Sequence, residues 1–391
     1  MIKKTFYYLF LVFYLIFFSI NGIASDINDK SRYEISILTI GEGSSLADAF
    51  GHSGIRINDL QDNSDFVYNF GIYNYNSPNF YSNFVKGRPQ YSLGKQYYSS
   101  FISGYKADKR YIFEQKINLD EKSKEHIVNL LKQNIENPYY TYDYLRDNCA
   151  TRIADLIIEN TNNKFKTERT ENKTQISFRN LIHEKIGENS WAALGIDLCL
   201  GAVIDQKINL RETLFIPEKL MNFLDEFDSD TELINKKTIY IPETKNFYNE
   251  SIISPLVVNL ILSFIIIAIT FFNFKYNFWS KILDVIIFLI TGSVGILVVY
   301  LWFFSDHNAA AQNFNFLWAF PFNFVLIFAI CKNKIPIWFI GYIKLLIILI
   351  VLLFLHWLTG FQKYNITLLS IFIALLIRYS FLVYYIKKNK K

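Results

Sequence analysis

The chain has five histidines and three cysteines, so the side chains able to act as nucleophile or base near neutral pH are few. Cys149 lies in Asp147-Asn148-Cys149-Ala150-Thr151-Arg152, where a helix is expected to begin. Amides at a helix N-terminus stabilise a thiolate and lower its pKa, which is the state a nucleophilic cysteine needs. His52 lies in Phe50-Gly51-His52-Ser53-Gly54-Ile55-Arg56, at the start of a predicted strand and flanked by small residues that leave it open to a cleft as a general base. On these residues alone three readings of Cys149 stay open: nucleophile, disulfide partner of Cys199 in an oxidising compartment, or small buried hydrophobe. Proximity of Cys149 and His52 does not follow from spacing. There is no Cys-x-x-Cys pair and no His-x-x-x-His spacing, so a zinc site has little support and no metal or soluble cofactor is expected.

Around Cys149, Asp147 and Asn148 suit helix capping. The backbone amides there, including that of Cys149, could also form an oxyanion hole. Arg152, one turn on, either meets a phosphate or carboxylate of a substrate or makes an exposed ion pair.

These residues need a scaffold, and the surrounding pattern predicts one. Tyr33–Ile40 reads as a strand ending in the Gly41-Glu42-Gly43-Ser44-Ser45 loop, and 53–57 and 66–70 read as strands joined by the polar stretch 58–65. Residues 110–119 read as a further strand. Asp120 then caps a helix to about residue 135 with Ile127, Leu130 and Leu131 on one face, stopped by Asn137-Pro138. The helix at Cys149 turns Ile153, Leu156 and Ile157 inward, and the polar residues 160–175 read as a loop. No repeat is evident, so the fold class is α+β: one domain over 25–250, with a helical extension before a membrane domain. His126 and His183, on amphipathic helices, are expected to face solvent.

The net charge of +5 averages two unlike halves and does not argue for nucleic acid. Lys3 and Lys4, the apolar run 6–20 and Gly22-Ile23-Ala24 read as a signal peptide over 1–24, cleaved near Ala24. From 251 to 391 the chain is rich in Ile, Leu, Phe and Val, and its only acidic residues are Asp284 and Asp306. Apolar segments near 252–272, 282–304, 316–331, 337–357 and 366–386 give about five spans. Lys275, Lys281, Lys332 and Lys334 fall in connections on one side, with Lys387, Lys388, Lys390 and Lys391 in the tail; the other side has only Lys363. The positive-inside rule therefore puts the tail in the cytoplasm and 25–250 outside it. Lys344 and Arg378 sit in the cytoplasmic halves of their spans and are expected to snorkel, and Asp284 lies at a cytoplasmic span start. His356 reads as interfacial beside Trp357.

His-x-Gly-Ile on a strand, followed much later by Asn-Cys at a helix start, resembles the circularly permuted papain-like fold, the superfamily of lecithin:retinol acyltransferase-like enzymes. More closely, FGHSGIRI at 50–57, YNFGIYNYNSPNFYSNFVKG at 68–87, EQKINL at 114–119 and DNCATRIADL at 147–156 resemble the Lnb N-terminal periplasmic domain of Bacteroidota lipoprotein N-acyltransferases. Asp306-His307, Asn313-Phe314-Asn315-Phe316-Leu317-Trp318 and Pro321 resemble a loop signature in the membrane part of such proteins. The resemblance implies that Cys149 is the acyl-accepting nucleophile and His52 its base. It points to Asn69 as the group that orients the histidine, set against a strand-end residue bonding its own backbone. It further implies that Asn148, Arg152, Asp306, His307 and Trp318 contribute to substrate binding, against plain capping, ion-pair and interfacial-turn roles. The implied acyl donor is a membrane phospholipid and the acceptor a diacylated lipoprotein, with the protein multi-pass in the bacterial inner membrane. A tethered thiol peptidase or amidase and a catalytically inactive binding module are the competing functions.

Overall fold

The computed structural model describes residues 31–161, 173–231, 234–242, 253–332 and 334–389. The expected signal peptide at 1–24 and most of the loop at 160–175 lie outside these residues.

A seven-stranded antiparallel sheet carries the N-terminal domain. Its strands are β1 (Tyr33–Ile40), β2 (His52–Asp59), β3 (Ser64–Ile72), β4 (Gln90–Tyr97), β5 (Ile112–Ile117), β6 (Tyr139–Thr141) and β9 (Ile234–Tyr240), in the order β6-β4-β3-β2-β1-β5-β9. Residues 90–97, 139–141 and 234–240 add strands to this sheet beyond those the sequence suggested. Helix α1 (Phe80–Val85) follows β3, α2 (Tyr98–Ala107) follows β4, α3 (Glu121–Glu136) follows β5 and α4 (Cys149–Glu159) follows β6. Asp120 caps α3 as expected, accepting from the Ser123 amide.

Alternation along the strands supplies a hydrophobic layer on each face. Ile35, Ile37, Ile55, Ile57, Tyr68 and Phe70 pack against Ile153, Ala154 and Ile157 of α4 and Ile127 and Leu131 of α3. On the other face Leu38, Ile40, Val67 and Ile112 pack against Phe101 and Ile102 of α2.

The helical extension comprises α5 (Phe178–Ile186), α6 (Trp191–Cys199), the helical turn Leu210–Thr213 and α7 (Pro217–Thr231), with a small β7-β8 ladder (Lys173–Ser177, Lys207–Asn209). His183 does not face solvent freely: its Nε2 lies 3.0 Å from Asp197 Oδ1, and Asp197 is also held by the buried Arg179. The chain then returns from α7 to add β9 beside β5, so the last described strand before the apolar helices belongs to the seven-stranded sheet.

Among the described residues four helices are long and apolar enough to cross a membrane: α8 (Pro255–Lys275), α9 (Lys281–Phe303), α11 (Ile337–Leu358) and α12 (Leu369–Asn389), the last preceded by a helical turn from Ile366. The expected third span, 316–331, is no continuous helix. It is a 3₁₀ turn (Phe314–Leu317), a break at Pro321 and the eight-residue helix α10 (Asn323–Ile330). Proline removes an amide donor and the asparagines recruit side-chain partners instead. Asn323 Nδ2 donates to Thr291 Oγ1 and Asn315 Nδ2 to the Asp197 carbonyl, each at 2.8 Å. The segment still runs the length of its neighbours: Phe314 N donates to Gln362 Oε1 at one end, and the Ile330 carbonyl accepts from Lys281 Nζ at the other. Irregular backbone at membrane depth is tolerated because it is buried in protein.

Arg378 does not snorkel. It is fully buried, with Nε and Nη2 each 2.7 Å from Asp284 and Nη1 2.8 Å from Asn273 Oδ1. Asp284 also accepts from Trp279 Nε1, so a pair 94 residues apart in sequence joins α8, α9 and α12.

Candidate active site

Cys149 is the first residue of α4, and α4 lies across β2 and β3. Its start is fixed by Asn148, whose Oδ1 accepts from the Ala150 and Thr151 amides at 2.9 and 3.0 Å. The reciprocal bond runs from the Asn148 amide to Thr151 Oγ1, completing a capping box. Asn148 Nδ2 donates to the Tyr144 and Phe215 carbonyls. Both ends of the amide are thus engaged in holding the helix start, which leaves no free valence for a substrate.

His52 opens β2, directly after Gly51, whose φ of 81° is a backbone conformation that favours glycine. Register sets Ile55 of β2 opposite Tyr68 of β3, so Asn69 comes alongside the histidine. His52 Nε2 lies 2.6 Å from Asn69 Oδ1. An amide oxygen only accepts, so Nε2 carries its proton and Nδ1 is the nitrogen left for Cys149.

The electrostatics are mutual. Burial alone would push the Cys149 thiol up. The charge and hydrogen bond of His52, with the Ser53 and Ala150 amides, outweigh it and hold the thiol below its ordinary value. Burial likewise pushes the His52 imidazole down, and the charge and hydrogen bond of Cys149 and the bond to Asn69 bring the net direction up. Each group favours the charged form of the other, as in a thiolate–imidazolium pair. Cys149 is only 6% exposed, and all three cysteines are free, so the Cys149–Cys199 disulfide is not formed here.

The remaining expected site residues lie apart from this triad. Arg152 forms a bidentate pair with Asp147 and stands 3.6 Å over the Tyr140 ring, so its guanidinium is engaged. Trp318 is buried against Phe372 in the membrane core, its indole donating to Asn315 Oδ1. Asp306 and His307 do reach the N-terminal domain. Asp306 pairs with Arg88, its amide donates to the Lys86 carbonyl, and His307 Nε2 lies 2.8 Å from the Phe84 carbonyl. Gly87 (φ 79°) sits against the Asp306–His307 backbone with no space for a side chain.

Sequence reasoning did not single out the tyrosines beside the nucleophile. Tyr142 is stacked on Tyr91 at 4.3 Å and lies over Gly71, two residues beyond Asn69. Its phenol is pushed well up, by burial first and then by the charge of Cys149. The density of tyrosine in 139–144 was the available signal.

Comparison with known families gives two matches. The Lnb N-terminal periplasmic domain matches residues 23–184, and the Lnb transmembrane domain matches residues 247–390, together spanning most of the chain. No curated protein and no solved structure matches.

Proposed function

The chain belongs to the Lnb family, with a periplasmic N-terminal domain and a transmembrane domain, and on that premise we propose that it is a lipoprotein N-acyltransferase with Cys149 as nucleophile. The observation that carries this reading is the Cys149–His52–Asn69 arrangement at a capped helix start, in a domain docked onto a membrane loop.

In the first step the Cys149 thiolate attacks the ester carbonyl carbon of a phospholipid. The developing oxyanion is met by the Cys149 amide, since Asn148 takes the Ala150 and Thr151 amides. The tetrahedral intermediate collapses with cleavage of the ester C–O bond, His52 gives its proton to the departing lysophospholipid oxygen, and a thioester remains on Cys149. In the second step the α-amine of a diacylglyceryl-cysteine attacks the thioester and His52 takes its proton. The C–S bond breaks, an amide is formed and the thiolate returns. Asn69 keeps the imidazole in one tautomer through both steps. Neither step calls for a metal or a soluble cofactor. The positive-inside pattern supports insertion in the inner membrane with the tail in the cytoplasm.

The same triad would serve a thiol peptidase or amidase. The direct docking of Asp306 and His307 onto the loop after α1 favours lipid chemistry, because a mere tether has no need of it. Mass spectrometry of lipoprotein N-termini decides the matter, in cells with the protein, without it, and with Cys149→Ala or His52→Ala. The N-acyl chain should vanish in all three altered strains. Its persistence, with no second enzyme able to add it, overturns the reading.

A further inference from the structure

Cys149 is nearly closed to solvent, yet its proposed donor is a lipid, and the acyltransferase reading leaves the path between them unassigned. The polypeptide between β3 and β4 supplies the relevant surface. Tyr73, Tyr75, Tyr81, Phe84 and Val85 are all exposed, an apolar and aromatic display that Tyr91, Tyr144 and His307 cover only in part.

Its position relative to the bilayer follows from what it touches. The Lys86 carbonyl accepts from the Asp306 amide and the Phe84 carbonyl faces His307, three and four residues past the end of α9. Phe303 and Phe304 at that helix end are themselves exposed, marking where the membrane-facing surface stops. Aromatic rings collect at this depth because one end is apolar and the other tolerates water. Lys86, exposed at the end of the segment, suits the phosphate layer.

Inward from there the rings are continuous. His307 and Phe84 centroids are 6.2 Å apart, Phe84 and Tyr144 6.4 Å, and Tyr144 and Tyr142 5.1 Å. Tyr144 is tied to the residue before the nucleophile, its carbonyl accepting from Asn148 Nδ2. The inner end of the series therefore lies at Cys149 and the outer end at the membrane boundary.

We propose that residues 73–88 rest on the outer membrane interface, and that Phe84, Tyr144 and Tyr142 form a lane along which a phospholipid acyl chain leaves the bilayer for Cys149. The lane rests on the acyltransferase reading for its purpose but not for its physical test.

Full-length protein in nanodiscs is irradiated with a phosphatidylethanolamine carrying a diazirine at the end of one acyl chain, and labelled residues are mapped by mass spectrometry. Phe264, exposed on α8, reports that the probe works; Tyr97 and Tyr139, exposed on the sheet, report background. Labelling of 73–85 and Tyr144 should approach that of Phe264. Labelling no higher than Tyr97 and Tyr139 overturns the lane, as does labelling only by a headgroup diazirine. Phe84→Asp, which places a charge at the lane mouth, should cut acyl-probe labelling of Tyr144 about tenfold; unchanged labelling of Tyr144 also overturns it. The Cys149→Ala protein should keep the wild-type pattern. Intact labelling in wild-type protein that forms no thioester on Cys149 would sink the acyltransferase reading and leave the lane standing, and loss of the labelling in Cys149→Ala overturns the lane.

Discussion

Cys149 with His52 and Asp284 with Arg378 are two pairs withdrawn from water, one in the sheet domain and one among the membrane helices. They are built by opposite rules. Arg378 spends its guanidinium on both oxygens of Asp284, on Asn273 and on the Ser280 carbonyl, while Trp279 takes a further bond to the carboxylate. A buried pair satisfied to that degree is chemically inert, and removing one partner leaves a charge that nothing solvates. Cys149 has only His52 and two amides to hold its charge, with Asn69 steering the imidazole from behind. The proposed reaction needs a nucleophile with a lone pair uncommitted, and the Cys149–His52 pair is accordingly left under-coordinated and shielded by burial. The contrast separates charge kept for chemistry from charge kept for architecture.

The largest expected effect tests the catalytic side. Cys149→Ala should lower acyl transfer by at least about a thousandfold while shifting thermal unfolding little, since a small buried side chain is replaced by a smaller one. Residual transfer near the wild-type rate would move the chemistry elsewhere. On the architectural side, Asp284→Asn should cost about 3–5 kcal/mol in unfolding experiments in detergent. Activity per folded molecule should persist, and Asp284→Leu with Arg378→Met should recover most of the loss. If Asp284→Asn leaves stability intact but stops turnover, the division between the two pairs fails.

Asn69→Ala sharpens the comparison by removing the steering group alone. It should lower kcat by about ten- to a hundredfold with little change in KM. The pH profile carries the sign. With the Cys149 thiol held low, its alkylation by iodoacetamide should reach half-maximum below the ordinary thiol value of about 8.5. In His52→Ala, burial acts without an opposing cation and the midpoint should rise; a midpoint that stays put would deny the ion pair. Smallest of all, Arg88→Ala removes an exposed ion pair and should leave the unfolding temperature where it was.

The elements that present the triad were largely legible, because local rules govern them. Asn148 and Asp120 cap by chemistry readable at a glance, and β1 matches its predicted bounds because its apolar run is framed by turn residues. What escaped depends on distance or on edges. β9, Ile234–Tyr240, is polar in the middle, as an edge strand can be, and lacks the hydrophobic pattern that betrays a central one. The Asp284–Arg378 pair is invisible along the chain, where each residue alone reads as interfacial. For Arg152 and Asn148 the plainer of the two roles read from the sequence, ion pair and helix cap, is the one the structure displays.

Hydropathy also treated 316–331 as equal to its neighbours, although Asn315, Pro321 and Asn323 interrupt it. That interruption bears on how the protein is made. A segment entering the bilayer from the translocon is judged by its own apolarity, and asparagine and proline count against it. Here the side-chain amides of Asn313, Asn315 and Asn323 donate to α9 and to the last turn of α6, elements already synthesised when this stretch emerges. The stretch therefore relies on a seat that α6 and α9 offer before it is made, rather than on its own apolarity.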